Sequence, residues 1–416
     1  MKRACAVLIC VLAHLVLLAC GPTVAPTGVA SPFPPSLSAG TPEPTSMPAA
    51  CGGRIAFIGR TADEKDIFVI NADGIGLANV TNGDGPEDSP SWSPDGSRIA
   101  FSRHVGNSDI YTIRPDGTGL LRLTDMSSGE YSPGWSPDGQ RVIFGSTSGY
   151  QSEILVVSAE GGEAIALTDS SAHKPDLAWS PHGSHIGFTQ LDNLNQGDIF
   201  VTEAPDEAEI APSDAVNLTR HQANDCCLDW APDGQRLLFL SSRGGTSAEP
   251  VMAGSARHPQ TSLLLVRTDM GGDPSAASDA VRPLTTVVPE QPRDIYAVNR
   301  DGSELVKLTN GVGREKHATW SPDGKSIAFV SDREGNDDIY VLIIGDSPEA
   351  GGSEMYRLTD SPEDEWHPIW SPDGSCLAFV SYHDGEAAIH AMSADGSSRT
   401  KLADSVVWSS GPSWSP

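Results

Sequence analysis

Five acidic side chains in this chain stand five residues before a tryptophan. They are Glu87, Glu130, Asp225, Glu315 and Glu365, ahead of Trp92, Trp135, Trp230, Trp320 and Trp370. Asp88 and Asp364 sit beside two of them, while Lys174 and Ser409 hold the same place before Trp179 and Trp414. If the units are equivalent, these carboxylates ring one opening and their potentials sum, which suits a cationic peptide, a basic protein segment or a divalent metal. Exposed loops of an acidic protein are acidic in any case, so the pattern alone does not separate a receptor from a solvated surface. A second recurrence is His317 and His367, each three residues before its tryptophan; Ser89, Ser132, Asp176, Cys227 and Gly411 hold that place elsewhere. A transition-metal site needs three or four ligands. His317, His367 and Asp176 do not make up such a cluster, so no cofactor is expected.

Other chemistries lack their residues. There is no G-x-S-x-G for a nucleophile elbow, no Gly-rich phosphate loop between strand and helix, and no C-x-x-C pair. The folded part is therefore expected to bind and not to catalyse. Removing Lys2 and Arg3 from 27 basic side chains leaves 25 against 55 acidic ones, which argues against nucleic acid as a partner.

The N-terminus reads as an address. Lys2 and Arg3 precede an apolar run, Ala6 to Leu18, that is shorter than the ~20 residues of a spanning helix. The string Leu17-Leu18-Ala19-Cys20 looks like a bacterial lipobox, so 1–19 is read as a signal peptide and Cys20 as the lipidated residue. Residues 20–50, rich in Pro, Ser, Thr and Ala, form an extended tether of roughly 90 Å at about 3.1 Å per residue. The expected location is the bacterial cell envelope, with contact to the membrane through the lipid alone. Cys51, Cys226, Cys227 and Cys376 remain for the folded part, and their pairing is open.

What positions the candidate residues is a repeat. The tryptophans of W-S/A-P are Trp92, Trp135, Trp179, Trp230, Trp320, Trp370 and Trp414, at spacings of 43, 44, 51, 90, 50 and 44 residues. Each of the first six is followed by a Gly-containing turn, S-P-D-G in full four times. Pro, Asp and Gly suit successive turn positions, so these aspartates form turns and the tryptophans pack between units. Three further β-rich runs complete each unit: Ile99-Ala100-Phe101, Asp109-Ile110-Tyr111 and the Leu123-Thr124 ending are examples. Four strands in about 40–45 residues is the signature of a propeller blade.

The ends fit one another. The chain stops at Trp414-Ser415-Pro416, a first strand alone, and 51–57 reads as a unit without its first strand. One blade is then completed by both termini. The expected fold is an all-β, seven-bladed propeller of four-stranded antiparallel blades over 51–416, expected to be monomeric. The 90-residue step reads as an insertion at about 243–292, with an eighth, degraded blade as the alternative.

The string W-S-P-D-G-x-x-I-A-F-x-S followed by D-I-Y-V and L-T, clearest from Trp320 to Thr359, resembles the propeller repeats of the TolB-like family. That resemblance implies a non-catalytic role, with an envelope protein or peptide held at one mouth of the channel. TolB itself has six blades and an N-terminal α/β domain, which a stalk replaces here. Oligogalacturonate lyases resemble the same repeats and hold a metal with channel histidines, which makes a metal-dependent lyase using His317 and His367 the alternative.

Overall fold

The computed structural model describes residues 51–416 apart from 62–63, 84, 150, 169–171, 206–214, 245–291, 345–353 and 408–410. The expected signal peptide, Cys20, the tether and nearly all of the 243–292 insertion lie outside the described residues.

The described residues form seven four-stranded antiparallel sheets. Blades 2 to 7 begin with the strands Glu87–Trp92, Gly129–Trp135, Leu177–Trp179, Asp225–Trp230, Glu315–Trp320 and Asp364–Trp370. Blade 1 consists of Arg54–Arg60, Lys65–Asn71, Ala78–Asn79 and, as its innermost strand, Ser413–Trp414. Each innermost strand packs against those of both neighbouring blades, so the ring is closed. Seven blades is thus the observed number. The alternative of an eighth blade in the long step fails, because Arg236–Ser241 and Asp294–Asn299 pair directly, from Arg236 opposite Asn299 to Ser241 opposite Asp294.

The repeat forms these elements for readable reasons. In each S-P-D-G turn the aspartate accepts hydrogen bonds from the Ser hydroxyl and a downstream amide, as Asp95 does from Ser93 Oγ at 2.6 Å and Ser97 N at 3.0 Å. Those bonds hold the Asp95 carboxyl down at about 2, and Gly96 takes the positive φ of 66° that closes the hairpin. The Leu-Thr ending has a similar local logic. Thr124 Oγ1 accepts the amide of Ile110 at 2.9 Å, and the same bond recurs at Thr81, Thr168, Thr219, Thr309 and Thr359. A threonine thus satisfies a strand amide just beyond the short outer strand.

The tryptophans pack between blades, as their size suggests. Trp92, Trp135, Trp230 and Trp414 are buried, and each donates its indole N–H to a backbone carbonyl. Arg54, Arg141 and Arg236 lie over the rings of Trp92, Trp179 and Trp320, each reaching from the preceding blade.

Closure of blade 1 uses two short pieces and one covalent bond. Trp414 and Ser413 pair with Ile55 and Ala56, Ser415 exchanges bonds with Arg54, and Val407 N reaches Ile58 O at 2.8 Å. Cys51 and Cys376 form a disulfide across 325 residues, tying the first blade to the last. Closing so long a loop stabilises the fold by on the order of 6 kcal/mol in the chain-entropy account. Trp414→Ala should cost about 3–5 kcal/mol in urea unfolding, as a buried tryptophan in mid-chain would. The comparison is Trp135→Ala; a Trp414→Ala cost near zero contradicts closure by the C-terminus.

Candidate functional site

The five carboxylates five residues before their tryptophans do not line an open mouth. Glu87, Glu130, Asp225 and Glu365 are fully buried, and Glu315 is 1% exposed. The reading of these residues as exposed loop carboxylates is therefore corrected. They begin the innermost strands and point into the body of the ring, where their charge is met locally. Glu87 takes Arg103 Nε at 2.7 Å and the Thr81 hydroxyl at 2.9 Å. Arg243 meets Asp225, Arg333 reaches Glu315 at 2.7 Å, and Arg399 reaches Glu365 at 3.1 Å. Glu130 takes hydroxyls, from Ser128 at 2.8 Å and Thr124 at 3.3 Å, and has the Asp109 carboxyl beside it. In blade 4 the polarity is reversed: buried Lys174 donates its Nζ to the carbonyls of Ser152 and Ala172. Asp88 and Asp364 are half-exposed; Asp88 accepts the amide of the next residue, Ser89, and Asp364 that of Asp337 in the preceding blade.

The arginines were legible but unread. Arg103, Arg243 and Arg333 follow the Phe of the second strand, and each guanidinium lies over that Phe and the third-strand Tyr. A cation held on two aromatic faces is positioned to meet the buried acid beside it. Burial still outweighs the arginines: the carboxyls of Glu87 and Glu365 are pushed up to about 7 and that of Glu315 to about 8. The second oxygens of Glu315 and Glu365 have no hydrogen-bond partner among the described residues.

What the channel receives is the residue two places on. In five blades the innermost strand shifts register just before its tryptophan, between Asp88 and Ser91, Tyr131 and Gly134, Cys226 and Asp229, Lys316 and Thr319, and Trp366 and Ile369. The residue at each bulge has a left-handed backbone: Ser89 (φ 54°), Ser132 (49°), Cys227 (62°), His317 (48°) and His367 (54°). None is glycine, so each carries backbone strain of about 1–3 kcal/mol, and bulges of this kind re-aim a side chain.

Several of these positions meet the equivalent residue of the next blade. The His317 and His367 rings lie 3.8 Å apart between blades 6 and 7. A Cβ on Gly411 would lie 3.2 Å from His367 Nδ1, which places blade 1's equivalent residue against it. Cys227 N donates to Asp176 Oδ2 at 3.0 Å between blades 5 and 4. The inner surface is thus a ring of hydroxyls, a thiol, one carboxylate and two imidazoles. His317 is exposed to the channel yet enclosed by protein, and desolvation, with His367 and Lys316 nearby, holds its pKa well below the usual histidine range. Asp176 does not join the histidines; it also accepts from Thr189 Oγ1 at 3.1 Å within its own blade. Among the described residues no three His, Cys, Asp or Glu side chains converge as a metal site would require.

The TolB beta propeller domain model, PD40, matches residues 43–204 and 267–416. The chain belongs to the TolB beta propeller family. Within it, the chain is similar to a protein TolB homolog of Chlorobium luteolum, 33% identical over 129 residues, 31% of this chain and 28% of that protein. It is 29% identical over 143 residues to the Tol-Pal system protein TolB of Bordetella pertussis, 32% of this chain and 31% of the relative. The matched stretches thus span less than a third of these relatives' length. An oligogalacturonate lyase in complex with manganese superposes with a TM-score of 0.59 at 13% identity, over 85% of this chain and 86% of that one. At that identity the likeness is one of fold alone.

The buried acids make a pH-dependent contribution whose sign is fixed. Below about 4.5, its ordinary value, the Glu130 carboxyl is protonated folded or unfolded; between there and about 7 only the folded chain keeps the proton. Stability therefore falls as pH rises through that window. Glu130→Gln, which keeps the acceptor and cannot ionise, should gain a Tm advantage of several degrees between about pH 5 and pH 8, measured by thermal melts. A pH-independent difference contradicts the raised value.

Proposed function

We propose that this protein is a non-catalytic binding or scaffold component of the bacterial envelope, anchored through Cys20, that holds a protein or peptide segment at its propeller channel. The observation that carries the reading is the ring of bulged residues, Ser89, Ser132, Cys227, His317 and His367, turned inward on strained backbone. Strain of this kind persists where the surrounding structure enforces it, and it clusters at binding sites. Membership of the TolB propeller family supports the same class of role.

Burial of the repeated carboxylates changes the ligand expected. A cationic segment attracted by Glu87, Glu130, Asp225, Glu315 and Glu365 would find them enclosed and partly neutralised. The ring instead offers hydrogen-bond donors and acceptors at short reach, which suits the backbone and polar side chains of an extended segment. The alternative, a metal-dependent polysaccharide lyase, rests on His317 and His367 alone.

A photo-crosslinking amino acid at Ser132 should give discrete adducts with solubilised envelope proteins of the source bacterium, and one at outward-facing Leu120 should not. Equal yields at both sites contradict a channel site. Oligogalacturonate incubated with the protein and manganese should stay intact; an unsaturated product would overturn the binding reading in favour of the lyase.

A further inference from the structure

Cys226 and Cys227 are neighbours on the innermost strand of blade 5, Asp225–Trp230. Successive side chains of a regular strand point to opposite faces, and cysteines whose Cβ vectors diverge cannot be bridged. The bulge removes that obstacle. Register shifts between Cys226 and Asp229, Cys227 turns left-handed at φ 62°, and the two Sγ atoms lie 2.6 Å apart as free thiols. The strained backbone thus brings together two sulfurs that strand geometry would separate. Both residues are partly exposed, and Cys227 holds a ring position in contact with Asp176 of blade 4.

The surroundings favour an oxidised pair. The hydrogen bond shared with Cys226 Sγ, which holds the Cys227 proton, followed by burial, pushes the Cys227 thiol well above its ordinary range. A thiolate so disfavoured does little to hold a pair in its reduced form. The Cys51–Cys376 bond indicates a compartment in which disulfides form and persist.

We propose that Cys226 and Cys227 are a redox modification site, a dithiol in the channel wall that closes to a vicinal disulfide by exchange with an external disulfide. One thiolate attacks the external S–S bond, forming a mixed disulfide and releasing the first external thiolate. The second cysteine, deprotonated, attacks the mixed disulfide at the protein-bound sulfur. The Cys226–Cys227 bond forms and the second external thiolate leaves. Two cysteine protons pass to the two released thiolates, and the external disulfide is reduced by the two electrons the cysteines lose. Closure removes the one S–H donor of the ring, that of Cys227, together with that of its neighbour Cys226. It is independent of which ligand the channel holds.

The test uses the full chain, with oxidised glutathione as the disulfide, N-ethylmaleimide as the trap and mass spectrometry of the tryptic peptide 221–236, which carries both cysteines. Before oxidation that peptide should take two labels. Afterwards it should take none and weigh two hydrogens less than the free dithiol. A small-ring disulfide is strained and easily reduced, so mild dithiothreitol should reopen it while Cys51–Cys376 stays closed. Cys226→Ser and Cys227→Ser should each leave one thiol that retains a glutathione adduct. Two labels after oxidation, a stable glutathione adduct or a disulfide-linked dimer of the unaltered chain, or no adduct on either single variant, would overturn the proposal.

Discussion

The edge of a β-sheet exposes unpaired amides and carbonyls, and closing the ring is the constraint on which this structure depends. Backbone pairing of Ser413–Trp414 with Ile55 and Ala56 closes it. That short strand gives blade 1 an innermost element, brings every first strand against two others, and so creates the channel. The Cys51–Cys376 bond ties the same junction covalently, with Cys376 buried among Ile55, Phe57 and Trp414. Local strand propensity would build each blade; only the long-range pairing makes a ring of them.

Within the ring, five of the seven innermost strands perform two opposed tasks a few residues apart. The acidic residue five places before the tryptophan is enclosed, paired with an arginine on aromatic faces or with hydroxyls, and burial raises its pKa. The tryptophan is enclosed again between blades. The bulge between them releases one side chain toward the axis. Strand alternation alone would not give this arrangement, and the left-handed backbone at Ser89, Ser132, Cys227, His317 and His367 shows where it is imposed. The buried ionisable groups cost desolvation that an apolar residue would not. In return they set polar register points between strands, as Asp229 does when its carboxylate takes Trp320 N at 2.8 Å from the next blade.

The fold was legible because its signal is periodic. Tryptophan spacing, the S-P-D-G turns and the incomplete unit at each end all follow from four-stranded blades that share a core. The site was less legible. Polar residues before a strand read as exposed, and nothing in Glu87 or Glu315 alone says otherwise; their arginines, after Phe101 and Phe329, were the available sign of burial. Left-handed serine, cysteine and histidine leave no compositional mark, unlike glycine, so the inward turn of His317 and His367 was visible only as a shared offset. The disulfide could not be assigned, because its partners are 325 residues apart and meet only when the ring closes.

Hydrogen exchange of the amides of Ile55 to Ile58 tests the central claim most directly. These amides belong to a strand near the start of the folded chain, and on the account given they lie under the C-terminal strand in a closed ring. They should exchange as slowly as the equivalent second-strand amides of blades 2 to 7, and lose that protection when residues 413–416 are removed. Exchange at the rate of a fraying terminus, unchanged by that truncation, would contradict the closed ring and the channel built on it.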